Sequence, residues 1–396
     1  MGCHWVGFDV GKACHWVCVL DDAGKVLLHR RVDATQEQIE DVLDEIEQLA
    51  TTGNRRVAID LRGDLATMLE ACLLARGESV YHLPGVAVNR YRDAYAGAEQ
   101  KSDARDSWLI ADQLRLRWRS LRPVTATEEY LAELKVLASY RRDLVQEQTR
   151  KLLRLRALLV ELCPGLEAEL NFKRNGPFVA LSRVASPAAV RRLGHKRLAR
   201  WLKARGVYRA EKVASTFVSA AKAQSVELPA SELKAQIVSE LARQILELRE
   251  QALTMEQRMA RIVAETPVGQ LVLSLPGMGT ILTAEFLAET GDLSRFASAD
   301  HLAAASGIAP VLRASGSTSF RRRPKRGNKV LKRVFYLSAY CSLYASAESR
   351  AYYGRKRAEG KTHRQAVVAL ARRRVNVLWA MLRDGQPYRE KPSKAA

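Results

Sequence analysis

Gly7-Phe8-Asp9-Val10-Gly11-Lys12 puts an acidic side chain near the end of an apolar first strand, with a glycine two residues later. At the first strand of a layered α/β sheet such an aspartate can hold a divalent cation, and the glycine lets backbone approach a phosphate. The same hexamer also reads as a plain turn. The order of the surrounding elements decides between the two readings.

Strand-like runs cover residues 4–9, 14–20 and 26–31, parted by Gly11-Lys12 and by the turn Asp21-Asp22-Ala23-Gly24. They predict an antiparallel meander. Ile39, Val42, Leu43, Ile46 and Leu49 share one face of a helix over 36–49, which Gly53-Asn54 closes. A strand over 56–61, a helix over 65–75 and a strand over 79–83 follow. Three antiparallel strands and then alternating helix and strand is the order of the ribonuclease H-like fold. There the fourth strand neighbours the first, so Asp9 and Asp60 could share a metal. Asp103 and Asp106, three apart, would face one way on a helix running to about Arg117. Alternatively, Ser102 caps that helix and the two aspartates suit its N-terminal dipole. Taken together, the four acids point to two-metal phosphoryl chemistry.

Charge separates the two ends. The chain of 396 residues carries 64 Lys+Arg against 43 Asp+Glu, which points to a polyanionic partner, nucleic acid foremost. Residues 1–110 hold 12 Lys/Arg against 18 Asp/Glu, whereas residues 311–396 hold 22 against 4. An acidic front suits a part that gathers carboxylates around metal ions. Six scattered cysteines form no disulfide framework, and no secretory or membrane-spanning segment shows. A cytoplasmic, nucleoid-associated protein with no membrane partner is expected.

Beyond Pro123 the pattern turns to long helices. Leu131, Leu134, Ala138, Val145, Leu152, Leu155, Leu159 and Leu162 make one seam, with Arg141 and Gln148 as polar interruptions. Val238, Leu241, Ile245, Leu248, Ala252, Met255, Met259 and Ile262 make a second, so an antiparallel coiled-coil hairpin is predicted. The insert between the seams, about 166–229, carries a basic run from Arg191 to Arg209 with Trp201 and Tyr208 interleaved. It is either a solvated helical face or an RNA or DNA contact.

Leu275-Pro276-Gly277-Met278-Gly279 resembles a helix-hairpin-helix turn, whose backbone N–H groups at Gly277 and Gly279 could hold a DNA phosphate. Arg313-Ala314-Ser315-Gly316-Ser317 then precedes Arg321-Arg322-Arg323-Pro324-Lys325-Arg326-Gly327-Asn328-Lys329, the densest positive charge in the chain. This serine loop reads either as a phosphate clamp or as the carrier of a nucleophile whose phosphorane the arginines would stabilise. The helical remainder, 331–382, mixes Tyr336, Tyr340, Tyr344, Tyr352 and Tyr353 with basic clusters that can track phosphates, notably Arg355-Lys356-Arg357 and Arg372-Arg373-Arg374.

In their joint order, Gly7-Phe8-Asp9, Asp60, Lys101-Ser102-Asp103-Ala104-Arg105-Asp106, the Pro276-Gly277 turn, Thr290-Gly291-Asp292, Gly307-Ile308-Ala309-Pro310, Ser315-Gly316 and Lys325-Arg326-Gly327-Asn328 resemble the transposases of the insertion sequence 110 family. The resemblance implies a RuvC-like domain over 1–122, a coiled-coil hairpin with its insert over 123–266, a transposase domain over 267–390 and a tail over 391–396. It implies a site-specific DNA recombinase with Asp9, Asp60, Asp103 and Asp106 as catalytic and metal ligands for Mg²⁺, two ions per site, or Mn²⁺. Ser315 falls on the nucleophile. Lys101, Arg105, Gly277, Gly279, Arg313, Arg321, Arg322, Arg323, Lys325, Arg326 and Lys329 would bind nucleic acid. The implied partners are donor and target DNA, a structured non-coding bridge RNA, and further copies of the chain as a dimer or a synaptic tetramer. The family usually has glutamate at the second acidic position, where this chain has Asp60; Asp64 lies close enough in sequence to compensate.

Other function classes remain open to the residues alone. A RuvC-like nuclease or junction resolvase would use the same acids with water. An actin-like sugar kinase or ATPase would need a second glycine-rich phosphate loop and an adenosine motif, and neither is present. A non-catalytic nucleic-acid scaffold would not need the acids.

Overall fold

The computed structural model describes all residues except 1, 50–53, 96–101, 125–127, 292, 294–295, 317, 323 and 391–396, together with the side chains of 313 and 321. It divides into two compact units, Met1–Thr127 and Glu128–Ala396.

In the first unit β1 (Cys3–Val10), β2 (Cys14–Leu20) and β3 (Val26–Asp33) form the expected meander. The strands β4 (Asn54–Ile59) and β5 (Ser79–His82) add in parallel, giving the order β3-β2-β1-β4-β5. Side chains alternate across β1. Val6 and Phe8 pack with Ile39, Val42 and Ile46 of α1 (Gln36–Leu49) and Leu69 and Leu73 of α2 (Thr67–Ala75). Trp5 packs on the opposite face, where Ala58 and Tyr81 meet Leu109, Ile110 and Leu114 of α4 (Asp103–Arg117). A short helix, α3 (Gly85–Arg92), which the sequence pattern did not announce, follows Pro84 on this second face. Helix α4 lies directly on β1 because Gly7 has no side chain: a Cβ there would stand 2.4 Å from both the Ser107 carbonyl oxygen and the Ala111 amide nitrogen.

The second unit is built on α5 (Glu129–Leu162) and α10 (Ser231–Glu265). Their cross-links run Arg141 to Glu256, Lys151 to Gln244 and Glu161 to Lys234, so the helices are antiparallel. The buried seam takes Leu144 where the sequence pattern placed Val145. Between them α6 (Pro164–Glu169), α7 (Gly176–Arg183), α8 (Pro187–Lys203) and α9 (Ala210–Ala223) close a core around Phe178, Leu198, Leu202 and Phe217 at the far half of the helix pair. The near half shares the largest core with α11 (Pro267–Leu273), α12 (Thr280–Thr290), α13 (Ala299–Ala305), α14 (Lys329–Ala345), α15 (Ala347–Ala358) and α16 (His363–Asp384). At its centre Phe286 and Phe335 meet edge to face, their centroids 5.8 Å apart.

One expectation needs correction here. The serine segment is not a loop but an antiparallel hairpin of β6 (Val311–Ser315) and β7 (Thr318–Arg322), with Ser315 opposite Thr318. The period-2 signal was hidden because Val311, Leu312 and Phe320 are all exposed, so neither face reads as a core face. Among the described residues no helix is long and apolar enough to cross a membrane.

The Gly7 contact gives a direct test. Gly7→Ala should lower the stability of the full chain by about 1–3 kcal/mol, because backbone on α4 must shift to admit the methyl group. An unchanged melting temperature would show that α4 does not rest on β1 as described.

Candidate catalytic and nucleic-acid-binding site

Three of the four acids gather where β1 and β4 end. Parallel register pairs Phe8 with Ile59, so Asp9 and Asp60 emerge side by side, Asp60 one residue past its strand. The Val10 amide donates to Asp60 Oδ1 at 3.0 Å, anchoring the short side chain on β1. Burial pushes the Asp60 carboxyl above its usual range; that hydrogen bond opposes the shift and the Asp106 charge adds to it. Asp106 is buried in the first turn of α4, beside the Gly7 contact. Asp103, one turn earlier, is exposed, as is Asp64. Ser102 does cap this helix, accepting from the Arg105 amide at 3.2 Å, so the capping reading of that stretch holds for the serine.

Sequence reasoning missed the partner of Asp106. Arg92, at the end of α3, pairs with it in a buried bidentate bridge, Nη2 lying 2.5 Å from Oδ1 and 2.6 Å from Oδ2. Tyr91 and Tyr95 both donate to Asp112 on α4, at 2.6 and 2.8 Å, and so fix the segment that carries Arg92. Burial works against charge on Asp112, but hydrogen bonds from Tyr91, Arg115 and Tyr95 outweigh it and hold the carboxyl below its usual range. Among the described residues no three carboxylate, imidazole or thiol groups converge closely enough to hold an ion. The donors do fit one by type, since a hard divalent cation takes carboxylate oxygen. The raised Asp60 and the arginine bound to Asp106 both mark a place where positive charge is needed.

In the second unit Ser315 is exposed near the hairpin tip, next to Gly316 at φ 54°. A groove of about 1790 Å³ opens beside the hairpin's second strand, lined by Arg322, Lys325, Arg326, Lys329, Lys332 and Arg364 among others. Tyr336 and Tyr352 form part of its wall. Among the described residues Arg322, Lys325, Arg326, Lys329 and Arg364 are exposed and have no ion-pair partner. Lys101 and Arg323 lie outside the described residues, as do the side chains of Arg313 and Arg321.

Not every basic residue is free for a ligand. Arg333, also in the groove, reaches the fully buried Glu285, Nη2 to Oε1 being 2.5 Å. Glu289, one turn on, accepts from Arg142 at 3.2 Å and from Asn328 at 2.6 Å, while Asn328 caps α14. The run Arg372-Arg373-Arg374, expected to track phosphates, is committed internally. Arg372 pairs with Asp300, Arg373 with Glu348, and buried Arg374 holds the Pro276 carbonyl and Ser338, its pKa lowered by burial to about 10. Gly277 likewise serves packing: its φ is 84°, and a Cβ would stand 2.5 Å from the Ser338 carbonyl oxygen of α14. Gly279 is exposed at the start of α12 with open space around it.

Acids at the strand ends of one unit and exposed cations beside the hairpin of the other are the groups that chemistry on a nucleic-acid backbone calls for. Comparison with known proteins agrees. The profile of IS110-type DEDD transposases matches residues 6–164, and that of the IS116/IS110/IS902 transposase family matches residues 269–354. The 44.8 kDa protein of insertion element IS116 from Streptomyces clavuligerus is 40% identical over 98% of this chain and 96% of its own length. The 42 kDa protein of insertion element IS900 from Mycobacterium paratuberculosis is 39% identical over 99% and 98%. The mini-circle putative transposase for IS117 from Streptomyces coelicolor is 29% identical over 97% and 95%. The chain belongs to the IS110/IS116/IS902 family of transposases.

The Arg92–Asp106 bridge makes a cation test possible without any turnover. Arg92→Met strips a buried carboxylate of its partner and should cost about 3–5 kcal/mol in a chelator. Added MgCl₂ should raise the variant's melting temperature more than the parent's. Equal responses would remove Asp106 from the list of cation ligands.

Proposed function

We propose that this transposase cuts and rejoins DNA through a covalent phosphoserine on Ser315, with Asp9, Asp60, Asp103 and Asp106 as its acidic residues. The observation that carries the reading is an exposed serine near the tip of a hairpin whose base, at Arg322, borders a groove lined by Lys325, Arg326 and Lys329. The five-strand order supports a ribonuclease H-like, RuvC-type reading of the first unit. The antiparallel α5–α10 pair supports a coiled-coil division over 123–266, ahead of a transposase division over 267–390.

Ser315 Oγ attacks the scissile phosphorus, the Oγ–P bond forms, and the bond from phosphorus to the 3′-oxygen breaks. The serine proton leaves to a base, and the departing 3′-oxygen takes one up. Lys325, Arg326 and Lys329 hold the DNA backbone in the groove beside the hairpin, near the phosphate under attack. The carboxylates orient the scissile bond and accept protons; Mg²⁺ or Mn²⁺, when bound, supplies Lewis-acid stabilisation of the same charge. Because the phosphoserine ester keeps the energy of the broken bond, a new 3′-hydroxyl can reverse the step without ATP.

Exchange between two DNA sites needs several strands cut, while the described residues of each chain hold one such hairpin. A dimer, or a tetramer in the synapse, is therefore part of the reading. A structured non-coding RNA that pairs with donor and target is the proposed guide; the large cationic surface of the second unit is compatible with it.

Ser315→Ala should abolish the DNA-linked species seen on denaturing gels while duplex binding persists. Cleavage that survives this change without any adduct would favour hydrolysis by water instead. An adduct of undiminished yield would end the assignment of Ser315.

A further inference from the structure

The helical insert carries a second concentration of charge, which the serine site does not use. Residues 183–212 hold ten Lys/Arg against Glu211 alone. Along α5 and α10 the opposite holds, with Arg141, Lys151, Arg156, Lys234 and Arg243 all bridged to glutamates. On the insert Arg191 is spent on the carbonyls of Ala221 and Gln224, and His195 meets Glu211 at 3.5 Å. Among the described residues Arg192, Lys196, Arg197, Arg200 and Lys203 are exposed and have no ion-pair partner. Past the break at Gly194, Lys196, Arg200 and Lys203 recur at helical spacing on the side away from buried Leu198 and Leu202, forming a stripe about 10 Å long.

We propose that this stripe is a second DNA-binding surface, which holds the backbone of duplex DNA flanking the segment that is cut. The occupant follows from charge and from what the aromatics do. Packing unpaired cations this densely is self-repulsive unless a polyanion is taken up. Trp201 already carries two guanidiniums, Arg183 at 4.8 Å and Arg205 at 3.9 Å, and Tyr208 carries Arg209 at 5.2 Å. These rings hold cations in place rather than offering a platform for unstacked bases, so the contacts are to phosphates and insensitive to sequence.

The helix pair sets the reach. From Ala138 in one core to Leu155 in the other, α5 rises about 26 Å. That distance corresponds to roughly eight base pairs of duplex. DNA contacted at the insert's core would thus lie about that length of duplex away from DNA contacted at the other core. The inference rests on the family's DNA substrate and not on the serine chemistry.

The test uses the full chain with Lys196, Arg200 and Lys203 all changed to alanine, and a duplex of about 40 base pairs beside one of about 10. Affinity for the long duplex should fall at least several-fold, and its salt dependence should lose about 0.9 in log–log slope per contact removed. The short duplex, which cannot reach both surfaces at once, should lose less affinity than the long one, and the melting temperature should be unchanged. Unchanged affinity and slope on the long duplex would overturn the proposal, as would a loss confined to a structured RNA hairpin. Neither readout requires an adduct, so failure here is separable from failure of the Ser315 reading.

Discussion

The first unit depends on how closely α4 can approach β1. Gly7 presents only hydrogen where any other residue would meet the Ser107 carbonyl and the Ala111 amide. The helix therefore settles onto the strand, and Asp106 comes to the strand end where Asp9 and Asp60 emerge. A sheet buried on both faces supplies the rigidity that such a placement needs. The functional meaning of the opening hexamer thus lies as much in its first glycine as in its aspartate.

The second unit uses charge in two ways. Where α5, α10, α12 and α14 meet, arginines are spent on buried or half-buried glutamates: Arg141 on Glu256, Arg142 on Glu289, Arg333 on Glu285. Breaking one of these bridges leaves an uncompensated charge in the core, so they fix the helices more than they add net stability. Asn328 connects this cluster to the basic segment before α14 by capping that helix and donating to Glu289. Arg322, Lys325, Arg326, Lys329 and Arg364 at the groove, and Arg192, Lys196, Arg197, Arg200 and Lys203 on the insert, have no ion-pair partner among the described residues, and the contrast separates scaffold from surface.

Much of this was legible from residues alone. Strands, the long helices and the neighbourhood of Asp9 and Asp60 followed from apolar periodicity and chain order, because each element buries one regular face. Periodicity could not supply the identity of tertiary partners. Arg92 sits in a short helix with no strong pattern, and its value comes from a carboxylate on another helix. Arg374 and Gly277 read as ligand-binding residues because a basic run and a glycine turn look alike whether exposed or packed. The serine hairpin escaped detection for the opposite reason, since it buries neither face and leaves no alternation to read.

That last feature has a kinetic meaning. A two-stranded ribbon with Val311, Leu312 and Phe320 turned to solvent is marginal by itself in water. On the proposed serine chemistry, a hydroxyl carried on so weakly held a ribbon would be aligned with a phosphate only when braced. Competence would then come with a surface that closes over the apolar side chains, and a free chain would be disarmed by its own mechanics.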